Sequence, residues 1–105
     1  MINQKNAIST LQTAMEELDQ QDISVLPKEA QLQLVRAQRN VYLELQAQQA
    51  NQLRYSSAEF VMATTGLKDS EGDFRDIHKW AKSAEKSGKF VTGILKGISL
   101  ILTLL

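Results

Sequence analysis

Cysteine is absent from this 105-residue chain, which excludes a disulfide framework, a thiolate nucleophile and any Cys-ligated zinc or iron–sulfur site. Proline occurs once and glycine five times, so helix breakers are rare. Aromatic residues make up 6% of the chain. Neither sign of charge dominates: 12 Lys and Arg stand against 12 Asp and Glu. A formal charge of zero argues against a dedicated nucleic-acid binder, whose affinity rests on neutralising phosphates. Asn3, Gln4, Lys5 and Asn6 break any apolar run at the N-terminus, so a secretory signal is not expected and a cytoplasmic or membrane-peripheral location is favoured.

What is present is abundant Ala, Leu, Gln, Glu and Lys with few β-branched residues, a composition that favours helix. One all-α domain spanning residues 1–105 is expected, with three helices at approximately 3–21, 27–65 and 70–105. In the first, Ala7, Leu11, Ala14 and Leu18 form a stripe that Ile8 and Met15 widen, as packing against two neighbours requires. Pro27 suits the start of the second, where its missing N–H costs nothing. Ala30, Leu34, Ala37, Val41 and Leu45 give that helix its inner face; beyond them the pattern drifts through Ala47, Ala50, Leu53, Phe60 and Val61. Gly66 followed by Leu67 reads as a helix stop, and Ser70 with Asp73 as a capping-box pair opening the third helix.

The third helix carries the most regular pattern. Phe74, Ile77, Ala81, Ala84, Gly88, Val91, Leu95, Ile98, Leu102 and Leu105 alternate spacings of three and four, a heptad seam with a slight left-handed supercoil. A rise of about 1.5 Å per residue makes the second and third helices about 50–60 Å long. They match as an antiparallel hairpin, with the short first helix folded back to make a three-helix bundle at one end.

Chemistry-bearing motifs are missing. Ser87-Gly88-Lys89-Phe90 lacks the earlier glycine and the hydroxyl residue of a phosphate loop. Asp69, Glu71 and Asp73 alternate as in a calcium loop, but Trp80 stands where the bidentate Glu belongs. His78 has no carboxylate and nucleophile at a recognisable spacing. Glu16, Glu17, Asp19 and Asp22 sit at a helix end with no apolar pocket to raise a pKa. No enzyme, catalytic residue, cofactor, metal or small-molecule substrate is expected.

Function is therefore sought in surfaces. From Phe90 to Leu105 the only charge is Lys96, and the outward positions, continued from the first part of the helix, become Phe90, Gly93, Gly97, Leu100 and Leu104. A helix apolar all round must be buried somewhere. The leading expectation is a non-enzymatic interaction or self-assembly protein whose C-terminal helix packs on another protomer or a helical partner through Phe90, Ile94, Leu100, Ile101 and Leu104. Gly93 and Gly97 would allow close approach of that partner. Residues 1–30 hold two basic and five acidic groups, whereas 77–105 hold five lysines and only Glu85. These charges would complement each other where the segments lie side by side. Lys82, Lys89 and Lys96, seven apart, form a basic strip that supports an alternative: a membrane-active or peripheral membrane protein, such as a pore-forming component or tail-docked subunit. In composition Lys79-Trp80, the spaced lysines and the Gly-interrupted apolar tail together resemble cationic membrane-active peptides, although the ~24 Å of helix from Phe90 to Leu105 falls short of a bilayer core.

Overall fold

The computed structural model describes residues 2–51 and 57–105 and is mostly helical. In chain order the helices are α1 (Gln4–Asp19), α2 (Lys28–Ala50), α3 (Thr65–Asp69), α4 (Glu71–Lys86) and α5 (Thr92–Leu102), with a 3-10 turn at Ile23–Val25. Asn3 caps α1 by accepting from the Asn6 N–H at 2.8 Å. Asp22 in turn accepts from the Ser24 N–H at 3.0 Å and opens the 3-10 turn. Ala7, Ile8, Leu11, Ala14 and Leu18 are buried, so the inward stripe expected of the first helix is the one observed.

The second helix stops fifteen residues before its expected end, at Ala50 rather than residue 65. Its inward line explains this. Ala30, Leu34, Ala37 and Val41 continue at the same spacing into Glu44 and Gln48, and both of these are buried. A buried carboxylate must find donors, and N–H groups within a helix are already committed to the helical ladder. Here they come from returning non-helical chain: the N–H groups of Ala63 and Thr64. That chain also docks on the N-terminus, where the Gln4 N–H donates to Ala58 (2.7 Å) and the Phe60 N–H to Ile2 (2.9 Å). Leu53 of the drifting pattern lies outside the described residues.

Gly66 is not a helix stop but lies within α3, close against α2: a Cβ there would stand 3.0 Å from Asn40 Oδ1. Ser70 makes no capping bond. Its hydroxyl instead donates to the Gly66 carbonyl and accepts from Asn40 Nδ2 at 2.7 Å. Asp73 pairs with Arg36 at 2.9 Å.

The third helix is divided. It ends at Lys86 with a Schellman cap: Gly88 is left-handed at φ 84°, its N–H donates to the Glu85 carbonyl, and the Lys89 N–H donates to Ala84 at 3.1 Å. Gly88 is thus a reversal point and not a seam position. An unbroken helix over 70–105 would be about 54 Å long, more than the molecule's 46 Å longest dimension.

Pairings along the elements give the directions. Gln4 meets Gln48 and Asp19 meets Gln38, so α1 and α2 are antiparallel. Asn40 meets Ser70 and Arg36 meets Asp73, so α2 and α4 are antiparallel. Gln21 lies over Gly93 and Leu18 and Ala14 over Gly97, so α5 runs antiparallel to α1. The long elements therefore alternate up, down, up and down around one continuous core, in place of a two-helix hairpin with a short third helix.

Candidate functional site

The C-terminal apolar residues divide by their burial. Ile94, Ile101 and Leu104 are buried within the chain's own core. Leu100 is half-buried against it, and Phe90 stands 95% exposed. The cover is α1, whose contact with α5 is the most extensive between any two elements. Close approach depends on Gly97, where a Cβ would lie 2.7 Å from Leu18 Cγ and 3.3 Å from the Ala14 carbonyl oxygen. The small-residue groove of Gly93 and Gly97 is filled by a helix of the same chain.

Nor is α5 apolar all round. Its exposed positions are Thr92, Lys96, Ser99 and Thr103, a polar line at spacings of four, three and four. Of the outward positions expected from the phase of α4, Phe90 is exposed and Gly93 and Leu100 are half-buried. Gly97 and Leu104 face inward.

The basic strip is broken up in the same way. Lys96 pairs with Glu17 of α1 at 3.0 Å, the charge complementarity expected between these segments. Lys89 lies over the Trp80 ring, 5.6 Å from its centroid, and Lys82 is exposed on α4. Among the described residues neither of these two forms an ion pair.

Sequence reasoning missed two features. The first is a buried polar cluster. Glu44 Oε2 accepts from Gln48 Nε2 at 2.7 Å and the Ala63 N–H at 2.8 Å. Its Oε1 accepts from the Thr64 N–H and hydroxyl at 2.9 and 2.8 Å. Burial alone would raise the Glu44 carboxyl, but these bonds together outweigh it and hold the group below the ordinary carboxylate range. Gln48 also donates to the Val61 carbonyl at 2.8 Å, and Gln4 donates to Gln48 Oε1 at 3.0 Å. With every Glu44 lone pair engaged, the cluster fastens the Val61–Thr64 segment to α2 and holds no poised acid or base. Its signal in the sequence was the pair of polar residues at inward spacing after Val41.

The second is the apolar part of the outer face of α2; the nearly uncharged Gln46, Gln49 and Asn51 already mark that face as weakly protected against association, although Gln48 among them is buried. Leu32, Val35 and Tyr42 are 66%, 55% and 50% exposed, with Leu43 beside them at 42%. With Arg39, Gln46 and Gln49 they continue a line spaced three and four. A groove beside it, between α1 and α2, is lined by Gln12, Met15, Glu16, Asp19, Tyr42 and Leu45. Among the described residues no group of His, Asp and Glu is placed to hold a metal ion, and no helix is long and apolar enough to cross a membrane. No protein family, curated protein or solved structure matches this chain.

Proposed function

We propose that this is a non-enzymatic self-assembly module, in which two copies pack through the outer face of α2. The observation that carries this reading is the uncovered apolar line of Leu32, Val35 and Tyr42. Its three-and-four spacing is the one with which helices interlock side by side. Scattered exposed hydrophobics are ordinary, whereas several aligned on one helix face, here with the aliphatic stem of Arg39 between Val35 and Tyr42, mark a contact surface. Charge favours a second copy as the occupant. Arg39 on this line has no ion-pair partner among the described residues, and neither have Glu16 and Asp19 in the adjoining groove. Two copies therefore bring complementary groups to each other, and a net charge of zero sets no long-range repulsion between them.

This places the contact on α2 instead of the C-terminal helix, because α5 spends most of its apolar surface on α1 and α4. The test is molar mass in detergent-free buffer by light scattering. Wild type is expected above the 11.8 kDa of a single chain, and the double variant Leu32→Glu, Val35→Glu at that value with unchanged helix content. Wild type at single-chain mass at millimolar concentration overturns the reading.

A further inference from the structure

The α4–α5 turn is a second surface, independent of α2. Phe90 is the most exposed large hydrophobic residue described, and the backbone on either side of it is hydrogen-bonded. The Lys89 N–H is tied to Ala84 and the Val91 N–H to Lys89, while the Val91 side chain is fully buried. Anchoring Val91 in the core leaves its neighbour pointing into solvent. From residue 77 of α4 through the turn, lysines outnumber acids four to one, with exposed Glu85 the single acid among them. Lys79, Lys82 and Lys86 recur along the exposed side of α4, and Lys89 follows in the turn. None of these four forms an ion pair among the described residues, and Glu85 is the only acid from residue 77 to the end of the chain. Trp80, half-buried beneath Lys89, puts an amphipathic ring at the base of the patch.

We infer that this turn docks on the surface of an anionic lipid bilayer: Phe90 enters the boundary between headgroups and acyl chains, and Lys82, Lys86 and Lys89 meet lipid phosphates. An outward aromatic on a turn among lysines that form no ion pair matches both layers of such a surface, apolar below and anionic above. A nucleic acid would use the lysines but offers no apolar layer to a single projecting phenyl ring. A lysine close to an anionic surface contributes about fivefold in partitioning, and burying a phenyl ring roughly tenfold or more. A helix crossing the bilayer is not involved, since α5 keeps its place against α1.

Flotation with vesicles tests this, using 30% phosphatidylglycerol in phosphatidylcholine against phosphatidylcholine alone, with Trp80 emission as a second readout. The wild-type chain is expected to float with the anionic vesicles only, to lose binding at high salt and to shift Trp80 emission to the blue. Phe90→Ser is expected to partition about tenfold more weakly, and the pair Lys86→Gln, Lys89→Gln about 25-fold more weakly. These side chains are exposed, and far-UV circular dichroism checks that the fold is kept. The inference is overturned if wild type does not bind anionic vesicles at low salt, or if Phe90→Ser binds as well as wild type. It is also overturned if Phe90→Ser lowers the molar mass in lipid-free buffer, since the ring would then be a protein contact. Leu32→Glu, Val35→Glu should still float, which separates this surface from the assembly on α2.

Discussion

Glu44 shows how one side chain decides where a helix can end. Its carboxylate is fully buried and is stabilised in the charged form by Gln48, Ala63 and Thr64. Replacing it with Gln leaves an amide with one acceptor oxygen facing donors on both sides, and about 2–3 kcal/mol of stability should be lost. The sign of the pH dependence follows from the lowered pKa. A group whose folded pKa lies below its unfolded value stabilises the fold above the unfolded value, and this contribution is lost as pH falls through the folded one. Urea midpoints should therefore drop from about pH 4.5 downward in wild type, and less steeply in Glu44→Gln. Gly97 and Gly93 make a second contrast between single residues. Ala at 97 collides with Leu18 in the core, and overpacking of about 1–3 kcal/mol should exceed the ~1 kcal/mol gained in helix propensity. Ala at 93 meets the amide end of Gln21, which can swing away at the cost of its bond to the Glu17 carbonyl. Gly93→Ala should therefore be near neutral in the same urea titration, the ~1 kcal/mol of helix propensity offsetting the lost bond.

Among the elements, α1 and α4 were legible because each has a single uninterrupted apolar face: Ala7, Leu11, Ala14 and Leu18 in one, Phe74, Ile77, Ala81 and Ala84 in the other. The break between α4 and α5 was hidden by spacing. Gly88 falls where the heptad pattern wants a small residue, and Val91, Leu95 and Ile98 beyond it are buried just as an unbroken seam requires. The left-handed glycine reverses the chain while the inward spacing survives as far as Ile98; Leu102 and Leu105 of the expected seam are only half-buried. For the same reason Phe90 was correctly read as outward, whereas Ile94, Ile101 and Leu104 lie in the core, wedged between α1 and α4. The outer line of α2 was legible only in its uncharged part, Gln46 and Gln49, because Arg39 separates Leu32 and Val35 from Tyr42. Gly88→Ala tests the reversal directly. A non-glycine residue in the left-handed region costs about 1–2 kcal/mol, so its thermal midpoint should fall measurably while α4 and α5 keep their helix content.

Across the whole molecule, cohesion is concentrated where the two chain ends meet. The N-terminal helix covers the C-terminal one, and Leu18 is fully buried against Gly97 at the centre of that contact. Lys96 and Glu17 bridge the same two helices at 3.0 Å, but the lysine side chain is 60% exposed, so water screens the pair. Truncating a buried leucine costs about 2–5 kcal/mol, against the roughly 5–15 kcal/mol that holds a whole domain folded. An exposed pair contributes below about 1 kcal/mol. Leu18→Ala should accordingly lower the urea midpoint severalfold more than Lys96→Ala, although both residues join the same helices. The way it does so depends on cooperativity. Because α4 rests on the core that α1 and α5 complete, loosening those two should release α4 as well. Trp80 emission, which reports on α4, and far-UV circular dichroism, which reports on all helices, should then shift together in Leu18→Ala. A Trp80 transition left at the wild-type midpoint would show instead that the two ends of the chain unfold as a unit apart from the α2–α4 pair.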